Sequence, residues 1–231
     1  MNKRWKTYSS PWGTVAKTEL SLCGFLEQRV NTYVAAGFGD KTALVCGVSG
    51  RSLKYGELLP RIRAASMALP VQKGETVLIH SPNCPEYAVA FQGILSKGCV
   101  ASTSNPLYTP QELSYQIRHS QAKHIITVSM FADAVKEAIA LSGQPASFSV
   151  LGHPDCPVAL AGAPFDTVDE LPSVEGGDNV AVMPYSSGTT GLPIGVCLSH
   201  ANLANNILQS EKLFRARPDI ITVVDGTGAP T

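Results

Sequence analysis

From about residue 42 onwards, short apolar segments alternate with longer segments of helical periodicity, and this alternation constrains the fold most. The segment 76–80, with the sequence TVLIH, predicts a strand, and the segments 124–128 and 147–151 predict two more. Strands that alternate with helices build a mostly parallel sheet with helices on its faces. We therefore predict an α/β fold, a mostly parallel sheet flanked by helices, with three βα units in succession.

Local capping signals mark the helices between these strands. Thr109 offers an N-cap hydroxyl, Pro110 suits the first helical position, and Glu112 completes a capping box, so a helix begins here and ends near residue 120. The other predicted elements are a hairpin over 42–55, helices over 56–70, 85–95, 131–141 and 200–214, and strands over 99–103, 180–185 and 196–199. The Gly- and Pro-rich residues 152–177 predict a surface excursion.

Charge and composition exclude several classes of partner. Eighteen basic and eighteen acidic residues give a formal net charge of zero, which disfavours binding to nucleic acid. No apolar run approaches the ~20 residues that cross a bilayer, and the first ten residues do not form a signal-peptide core. The chain also ends without a peroxisomal tripeptide. We expect no membrane span and a cytoplasmic location.

The cysteines favour the same compartment. Six of them are dispersed along the chain without a C-x-x-C pair, which argues against a disulfide framework or an all-cysteine zinc site. Cys197 and His200 have a C-x-x-H spacing, but no second pair completes a tetrahedral site, so we predict no metal. Three further histidines have no local partner for catalysis and are interpreted as structural: His80, His119 and His124.

The segment 186–195 carries the chemistry. It has four hydroxyl residues and three glycines in ten positions, which is poor material for a core. Glycines let successive backbone N–H groups point at one cluster of oxygens, and Ser and Thr hydroxyls add donors without bulk. We predict phosphate binding by Ser186, Ser187, Gly188, Thr189, Thr190 and Gly191. A hairpin loop of this composition without a ligand is the alternative.

Familiar loop motifs do not describe this segment. A Walker A loop would need a second Gly at position 193 followed by Lys, but Pro193 stands there. The nucleophile elbow G-x-S-x-G fails because no Gly lies two residues before Ser186 or Ser187. A dinucleotide-binding G-x-G-x-x-G is absent as well. A hydrolase that uses one of these serines lacks an adjacent histidine base and is disfavoured.

Residues 185–193, with the sequence YSSGTTGLP, are followed by Gly195-Val196 and by Leu198-Ser199-His200. This pattern resembles the AMP-binding signature of the adenylate-forming superfamily, in the form found in 4-coumarate:CoA ligase-like enzymes and related acyl-CoA ligases. Further blocks resemble the amino-terminal half of the same family, in the same order: SPN at 81–83, PEY at 85–87, KG at 97–98, NP at 105–106, YT at 108–109 and EL at 112–113.

The resemblance implies an ATP-dependent carboxylic acid:CoA ligase. Such an enzyme uses ATP and Mg²⁺ to form an acyl-adenylate and passes the acyl group to coenzyme A, with residues 186–191 holding the β- and γ-phosphates. The substrate class is a hydrophobic or aromatic carboxylic acid. The implied fold is part of the amino-terminal domain of the acyl-CoA ligase, or luciferase-like, fold. The implied domains are a lead-in over 1–40, a partial adenylation domain over 41–214 and a divergent tail over 215–231.

Two departures from the family pattern bear on activity. Ile194 stands where the family has a Lys after the Pro of the loop. The family's adenine pocket, Mg²⁺-binding Glu, ribose-binding Asp and mobile carboxy-terminal domain have no counterpart before residue 231. We therefore expect a truncated ligase that is impaired as an isolated chain and identify no catalytic residue in it. The alternative is a non-catalytic remnant or interaction module that self-associates through exposed apolar surface.

Tyr87, Phe91 and Ile94 recur at helical spacing between residues 85 and 95. Such a stripe can line an acyl pocket, although stripes of this kind more often belong to a core. The sequence alone leaves both interpretations open.

Overall fold

Alternating strands and helices build a mostly parallel sheet. The computed structural model describes residues 14–152, 174–186 and 193–213. The strands in these ranges are β1 (Thr42–Val45), β2 (Ser52–Lys54), β3 (Thr76–His80), β4 (Val100–Thr103), β5 (His124–Val128), β6 (Ser147–Leu151), β7 (Val180–Val182), β8 (Tyr185–Ser186), β9 (Ile194–Gly195) and β10 (Leu198–Ser199). The α-helices are α1 (Leu22–Tyr33), α2 (Tyr55–Ala68), α3 (Pro85–Ser96), α4 (Pro110–Ser120), α5 (Ala132–Ser142) and α6 (His200–Leu213).

The central sheet has the order β10-β7-β4-β3-β5-β6. Every neighbouring pair is parallel except β10 and β7, which are antiparallel. The predicted α/β architecture with a mostly parallel sheet is therefore confirmed. β3 lies at the centre, and its residues Val77, Leu78 and Ile79 are fully buried, as expected for a strand covered on both faces.

Helices cover the two faces of the sheet in separate groups. Val77 and Ile79 belong to the core cluster that includes residues of α1, α2 and α3, whereas Leu78 belongs to the cluster formed with α4 and α5. The connection from β3 to β4 therefore runs along one face, and the connection from β4 to β5 along the other. Because β4 and β5 lie on opposite sides of β3, the order of winding reverses here, which in open α/β sheets is where ligands bind.

The local signals for α4 are confirmed. Thr109 Oγ1 accepts from the backbone N–H of Glu112 at 3.3 Å, and a carboxylate oxygen of Glu112 accepts from the N–H of Thr109 at 2.8 Å. The helix ends at Ser120, followed by Gln121 in the left-handed conformation with φ of 54°. Such a residue closes a helix by satisfying its last carbonyl groups.

The packing of α2 against α3 depends on a glycine and a lysine. A Cβ on Gly93 would lie 2.9 Å from Cβ of Ala65, so the two helices approach too closely for any larger residue. At the end of α2, the ammonium group of Lys97 donates to the carbonyl oxygens of Ser66, Met67 and Leu69 at 2.8–3.4 Å. A cation is favoured there because the helix dipole is negative at its carboxyl end.

The structure differs from the sequence-based prediction near the end of the chain. The strand predicted over 180–185 is divided into β7 and β8, and Pro184, which has no N–H to donate to a ladder, lies between them. The strand predicted over 196–199 is limited to β10. Helix α1 lies where the sequence suggested only a lead-in, and its residues Leu22 and Val30 are part of the core.

Part of the predicted excursion, at residues 153–173, and the tail at 215–231 lie outside the described residues. None of the helices in the described ranges combines the length and the apolar character needed to cross a membrane.

Candidate functional site

The predicted phosphate-binding segment is bordered by a short antiparallel hairpin. β8 pairs with β9, with Tyr185 opposite Gly195 and Ser186 opposite Ile194. Ser186 is described at the end of β8 and is exposed to solvent. The other five predicted residues lie outside the described residues: Ser187, Gly188, Thr189, Thr190 and Gly191. The structure therefore gives the geometry of both ends of the segment.

A buried set of hydrogen bonds joins this hairpin to the sheet. The N–H of Met183 donates to the carbonyl oxygen of Ala101 at 2.9 Å, and the Ser102 hydroxyl donates to the Met183 carbonyl at 2.9 Å. The side-chain amide of Gln116 donates to Ser102 Oγ at 3.0 Å and to the Thr103 carbonyl at 3.1 Å. β4 and α4 thus fix the backbone two residues before β8.

Two aromatic side chains of α4 reach the hairpin itself. The Tyr115 hydroxyl donates to the carbonyl oxygen of Pro193 at 3.2 Å, and Nδ1 of His119 lies 2.6 Å from the hydroxyl oxygen of Tyr185. The rings of Tyr115 and His119 are stacked, and His119 meets Tyr185 edge to face, each with centroids 5.6 Å apart. Tyr115 and His119 share a face of the helix because they are four residues apart.

The position of the Tyr185 ring depends on the residue opposite it. A Cβ on Gly195 would lie 3.1 Å from Cζ of Tyr185 and 3.2 Å from Cγ of Met183, so a glycine leaves room for the ring to lie across the hairpin. Burial, and to a smaller extent the neighbouring Tyr115, raise the pKa of Tyr185 to about 12. The Tyr185 hydroxyl is therefore protonated at neutral pH and remains a hydrogen-bonding group.

Ile194 occupies the outer side of the same hairpin. Its side chain is about half exposed, at 49%, and it lies opposite Ser186. An apolar side chain at this position supplies no charge to an anion. A cation here would be able to make a charge-assisted hydrogen bond, a type of contact that contributes about 1.5–3 kcal/mol.

Cys197 and His200, the pair with C-x-x-H spacing, have different surroundings. Cys197 is exposed, whereas His200 is buried and its Nδ1 accepts a hydrogen bond from the backbone N–H of Leu22 at 3.1 Å. His200 thus fixes the first turn of α1. Within residues 14–152, 174–186 and 193–211, no three His, Cys, Asp or Glu side chains are grouped so that they could hold a metal ion.

The three other histidines of the described ranges divide into two buried ones and one that contacts the hairpin. His124 has both ring nitrogens engaged, with Ser147 Oγ at 2.7 Å and Ser149 Oγ at 2.9 Å. Nδ1 of His80 lies 3.1 Å from Ser104 Oγ. Burial lowers the pKa of both to about 4, so both are neutral in the folded protein at neutral pH.

His119, by contrast, contacts Tyr185 across 66 positions of sequence, and no local pattern reveals such a contact. The only sequence signal for this contact was the four-residue spacing of Tyr115 and His119. That spacing places both side chains on one face of α4, but it does not indicate which part of the protein packs against that face.

The aromatic stripe on α3 belongs to the core. Ile94 is fully buried, and Tyr87 and Phe91 pack against the same cluster. Burial raises the pKa of Tyr87 to about 12. Of the two interpretations that the sequence left open, the structure favours packing between α3 and the sheet.

Comparisons with known proteins agree with this architecture. A family model described as "AMP-binding enzyme" matches residues 32–225. 4-coumarate–CoA ligase 3 of Arabidopsis thaliana is 35% identical over 198 residues, which are 80% of this chain and 35% of that protein. 4-coumarate–CoA ligase 1 of Petroselinum crispum is 37% identical over 178 residues, which are 74% of this chain and 32% of that protein. The chain spans about a third of the length of these relatives.

Solved structures match as well. A long-chain-fatty-acid-CoA ligase of Archaeoglobus fulgidus matches with a TM-score of 0.73 at 25% identity, over 90% of this chain and 42% of that one. ATP-bound MatB of Rhodopseudomonas palustris matches with a TM-score of 0.70 at 26% identity, over 87% of this chain and 39% of that one. The described sheet and its helices thus correspond to the amino-terminal part of the fold of these proteins.

Proposed function

Because the chain belongs to the AMP-binding enzyme family, we propose that it carries the phosphate-binding part of an ATP-dependent carboxylic acid:CoA ligase. In this reaction a carboxylate oxygen attacks the α-phosphorus of ATP, and the bond to the departing pyrophosphate breaks. The thiol of coenzyme A then attacks the acyl carbon, and AMP leaves. The proposed phosphate ligands are Ser186, Ser187, Gly188, Thr189, Thr190 and Gly191.

One observation carries this proposal: both ends of the segment 187–192 are held by the β8–β9 hairpin and by α4. Catalysis at phosphorus needs an immobilised leaving group and donors that are already in place when its charge grows. A segment whose ends are fixed loses less conformational entropy when it binds an anion. The composition of the segment supplies the donors.

The described residues suit some of the family's ligands better than others. The exposed hydroxyl of Ser186 at the end of β8 is a suitable donor to a phosphate oxygen. Within the described ranges no acidic cluster suits Mg²⁺, so we assign no metal ligand. When bound, Mg²⁺ neutralises phosphate charge. The contribution that we propose for this chain is therefore to bind and orient the β- and γ-phosphates.

Ile194 is expected to weaken this binding. The family's Lys would face phosphate oxygens from the hairpin, and Ile194 replaces it with an apolar side chain beside Ser186. A lost charge-assisted hydrogen bond of about 1.5–3 kcal/mol corresponds to about one to two powers of ten in affinity. We therefore propose that the isolated chain binds nucleotide weakly and is impaired as a ligase.

Substrate class and location follow from the same family membership. We propose a hydrophobic or aromatic carboxylic acid, because the similar proteins are named as 4-coumarate and long-chain fatty acid ligases. The zero net charge argues against a nucleic acid partner. Cytoplasmic location is supported by the cysteines of the described ranges, which are all free thiols: Cys23, Cys46, Cys84, Cys99 and Cys197.

A second candidate function is a non-catalytic remnant or interaction module. It is favoured by exposed apolar side chains on β7 and the elements after it: Val180, Ile194, Val196 and Ile207. Such surface predicts self-association. Size-exclusion chromatography separates the two candidates in part, since a clean monomer with low dye binding argues against an uncovered apolar surface.

Calorimetry of Mg·ATP binding to the full chain tests the ligase proposal directly. Gly188→Val and Gly191→Val are expected to lower the affinity at least about 10-fold, because one or more backbone donors can no longer approach the phosphates. Gly39→Val is the control. Gly39 has a negative φ, and a Cβ added to it would lie 3.5 Å from Cγ1 of Val34, which is an ordinary van der Waals contact. Unchanged affinity in both loop variants would reject the assigned segment.

A further inference from the structure

Two buried side chains at the carboxyl edge of the sheet each keep one polar atom without a hydrogen-bond partner among the described residues. The atoms are Nε2 of His80 and Oε1 of Gln116, and each residue is only 1% exposed. Buried polar atoms in native proteins are nearly always paired, either with protein groups or with ordered water. Two unpaired atoms in one part of the fold therefore indicate a ligand that they share.

Both side chains are anchored on consecutive residues at the end of β4. Nδ1 of His80 lies 3.1 Å from Ser104 Oγ, and the side-chain amide of Gln116 donates to the carbonyl oxygen of Thr103 at 3.1 Å. β3 and β4 are parallel neighbours with Ile79 opposite Thr103, so His80 lies level with Ser104. The two unpaired atoms thus belong to side chains that meet the same strand end.

His80 and Gln116 also lie on the same face of the sheet. Side chains alternate along a strand, so His80 shares a face with Leu78, which packs in the cluster formed with α4 and α5. Gln116 belongs to α4 itself. The ring of Phe131, just before α5, meets the His80 ring edge to face with centroids 5.3 Å apart. These elements bury the two atoms between α4, the start of α5 and the ends of β3 and β4.

The hydrogen bonds already made define what each free atom needs. Gln116 donates to a carbonyl oxygen, which can only accept, so the free atom of its amide is the oxygen and needs a donor. Nε2 of His80 donates or accepts according to the proton on Nδ1, and the Ser104 hydroxyl can pair with Nδ1 in either form. A hydroxyl group both donates and accepts, so it satisfies both atoms in either tautomer.

Charge and burial narrow the ligand further. Burial lowers the pKa of His80 to about 4, so its imidazole is neutral at neutral pH, and the Gln116 amide carries no charge. An ion between them would gain no compensating charge from either side chain, and an uncompensated buried ion is costly. Because both residues are almost fully buried, the smallest neutral hydroxylic ligand, which is water, suits this position best.

We propose that the carboxyl ends of β3 and β4 hold an internal water molecule that bridges Nε2 of His80 and Oε1 of Gln116. Internal waters typically bond to buried polar groups that are otherwise unpaired. This water would extend to β3 the buried polar chain that runs from Gln116 through Ser102 to the Met183 carbonyl. The site is independent of the proposed function, since it uses neither the nucleotide nor residues 186–191.

A crystal structure of the parent chain, at a resolution that shows ordered water, tests the site directly. We expect a water oxygen about 2.7–3.2 Å from both Nε2 of His80 and Oε1 of Gln116. A direct hydrogen bond between these two atoms, or no water density within reach of both, would overturn the proposal. This measurement needs no variant, so it decides the question even if a substitution prevents folding.

A double-mutant cycle tests the shared water in solution. His80→Phe keeps a ring and Gln116→Met keeps the length of the side chain, and each removes its unpaired atom. If one water serves both atoms, the first substitution already releases it, so the second should destabilise less than it does alone. The unfolding equilibrium constants, from chemical denaturation, should show a coupling of about 5-fold.

The matched control cycle pairs Gln116→Met with His124→Phe. His124 is equally buried, but both of its ring nitrogens contact serine hydroxyls, and it begins β5 at the amino edge of the sheet. The effects of these two substitutions should add to within about 2-fold. Additive effects in the His80 cycle, or the same coupling in both cycles, would contradict a water that His80 and Gln116 share.

Discussion

The side-chain amide of Gln116 donates to the hydroxyl oxygen of Ser102 at 3.0 Å, and this buried contact joins α4 to β4 directly beneath the hairpin. The Ser102 hydroxyl in turn donates to the carbonyl oxygen of Met183, which links β4 to the residue before the hairpin. The hydroxyl therefore both accepts and donates, and nothing else in the described residues replaces it between these two partners.

Ser102→Ala should lower the free energy of unfolding by about 1–3 kcal/mol, because it leaves a buried carbonyl and an amide with a lost partner. Chemical denaturation followed by circular dichroism measures this. Ser129→Ala, at an exposed position after β5, is the control and should change stability by less than about 0.5 kcal/mol. An equal effect of the two substitutions would contradict the role given to Ser102.

Gly93→Ala should be destabilising, although the same exchange in an open helix stabilises by about 1 kcal/mol. A Cβ at this position would lie 2.9 Å from Cβ of Ala65 and 3.2 Å from the backbone nitrogen of Ser66. Overpacking of this kind costs about 1–3 kcal/mol. Thermal unfolding should show a lower midpoint, and a larger drop for Gly93→Val. A raised midpoint would mean that α2 and α3 are farther apart than described.

Gln121→Gly should stabilise the protein by about 0.5–1 kcal/mol, because Gln121 follows α4 with φ of 54°, a conformation that glycine adopts without strain. Gln121→Ala is the matched variant, since alanine keeps the Cβ and should bring no such gain. The midpoint of urea denaturation distinguishes them. Equal midpoints for the Gly and Ala variants would show that the left-handed conformation is not a source of strain here.

Stability should fall as pH drops from about 6.5 towards 4, because burial lowers the pKa of His80 and His124 to about 4. In this window the unfolded chain takes up protons that the folded chain does not, so stability rises with pH and is fully present above the unfolded pKa of about 6.5. Each histidine adds a slope of up to about 1.4 kcal/mol per pH unit.

Denaturation across this pH range, with His80→Leu as the comparison, measures the contribution of one histidine. The variant should have a shallower pH dependence than the parent chain. Superimposable slopes would show that His80 takes up its proton in the folded protein as readily as in the unfolded one.

Ile194→Lys should strengthen Mg·ATP binding about 10-fold or more, because it restores a cation opposite Ser186. Val196→Lys is a fair control, since it adds the same charge at a similarly exposed position outside the β8–β9 ladder. Calorimetry at two salt concentrations detects the gain and its electrostatic origin. The same gain in both variants would point to net charge rather than to the position of Ile194.

Periodicity and capping signals were sufficient to predict the sheet and most of its helices. The segments 76–80, 124–128 and 147–151 form strands at the predicted positions. The first two are runs of β-branched and apolar residues that suit a strand buried on both faces, whereas 147–151 forms the partly buried edge strand. The capping box at Thr109 and Glu112 was equally informative, because its donors and acceptors lie within four residues of each other.

Local sequence patterns could not predict the short strands after residue 180 or the contacts between α4 and the β8–β9 hairpin. The division of 180–185 at Pro184 depends on where β7 leaves the sheet to let β8 pair with β9. The contacts of Tyr115 and His119 depend on the tertiary packing of α4 beside β4. Helix α1 was not predicted because its core contacts are made by few residues, among them Leu22 and Val30. The residues that carried the family resemblance identified the segment 186–191, whose geometry beyond Ser186 stays a prediction.

The order of strands in the sheet has a consequence for how the protein is assembled during folding. β3, β4, β5 and β6 follow one another in sequence and join through local connections, whereas β7 must return from the far edge of the sheet to pair with β4 at Ala101. Pairing over such a long loop is slow because its closure entropy is lost before the contacts form. A nascent chain would therefore pair β3 to β6 first, and it would add β7, and with it the chain that continues into the β8–β9 hairpin, at a later step.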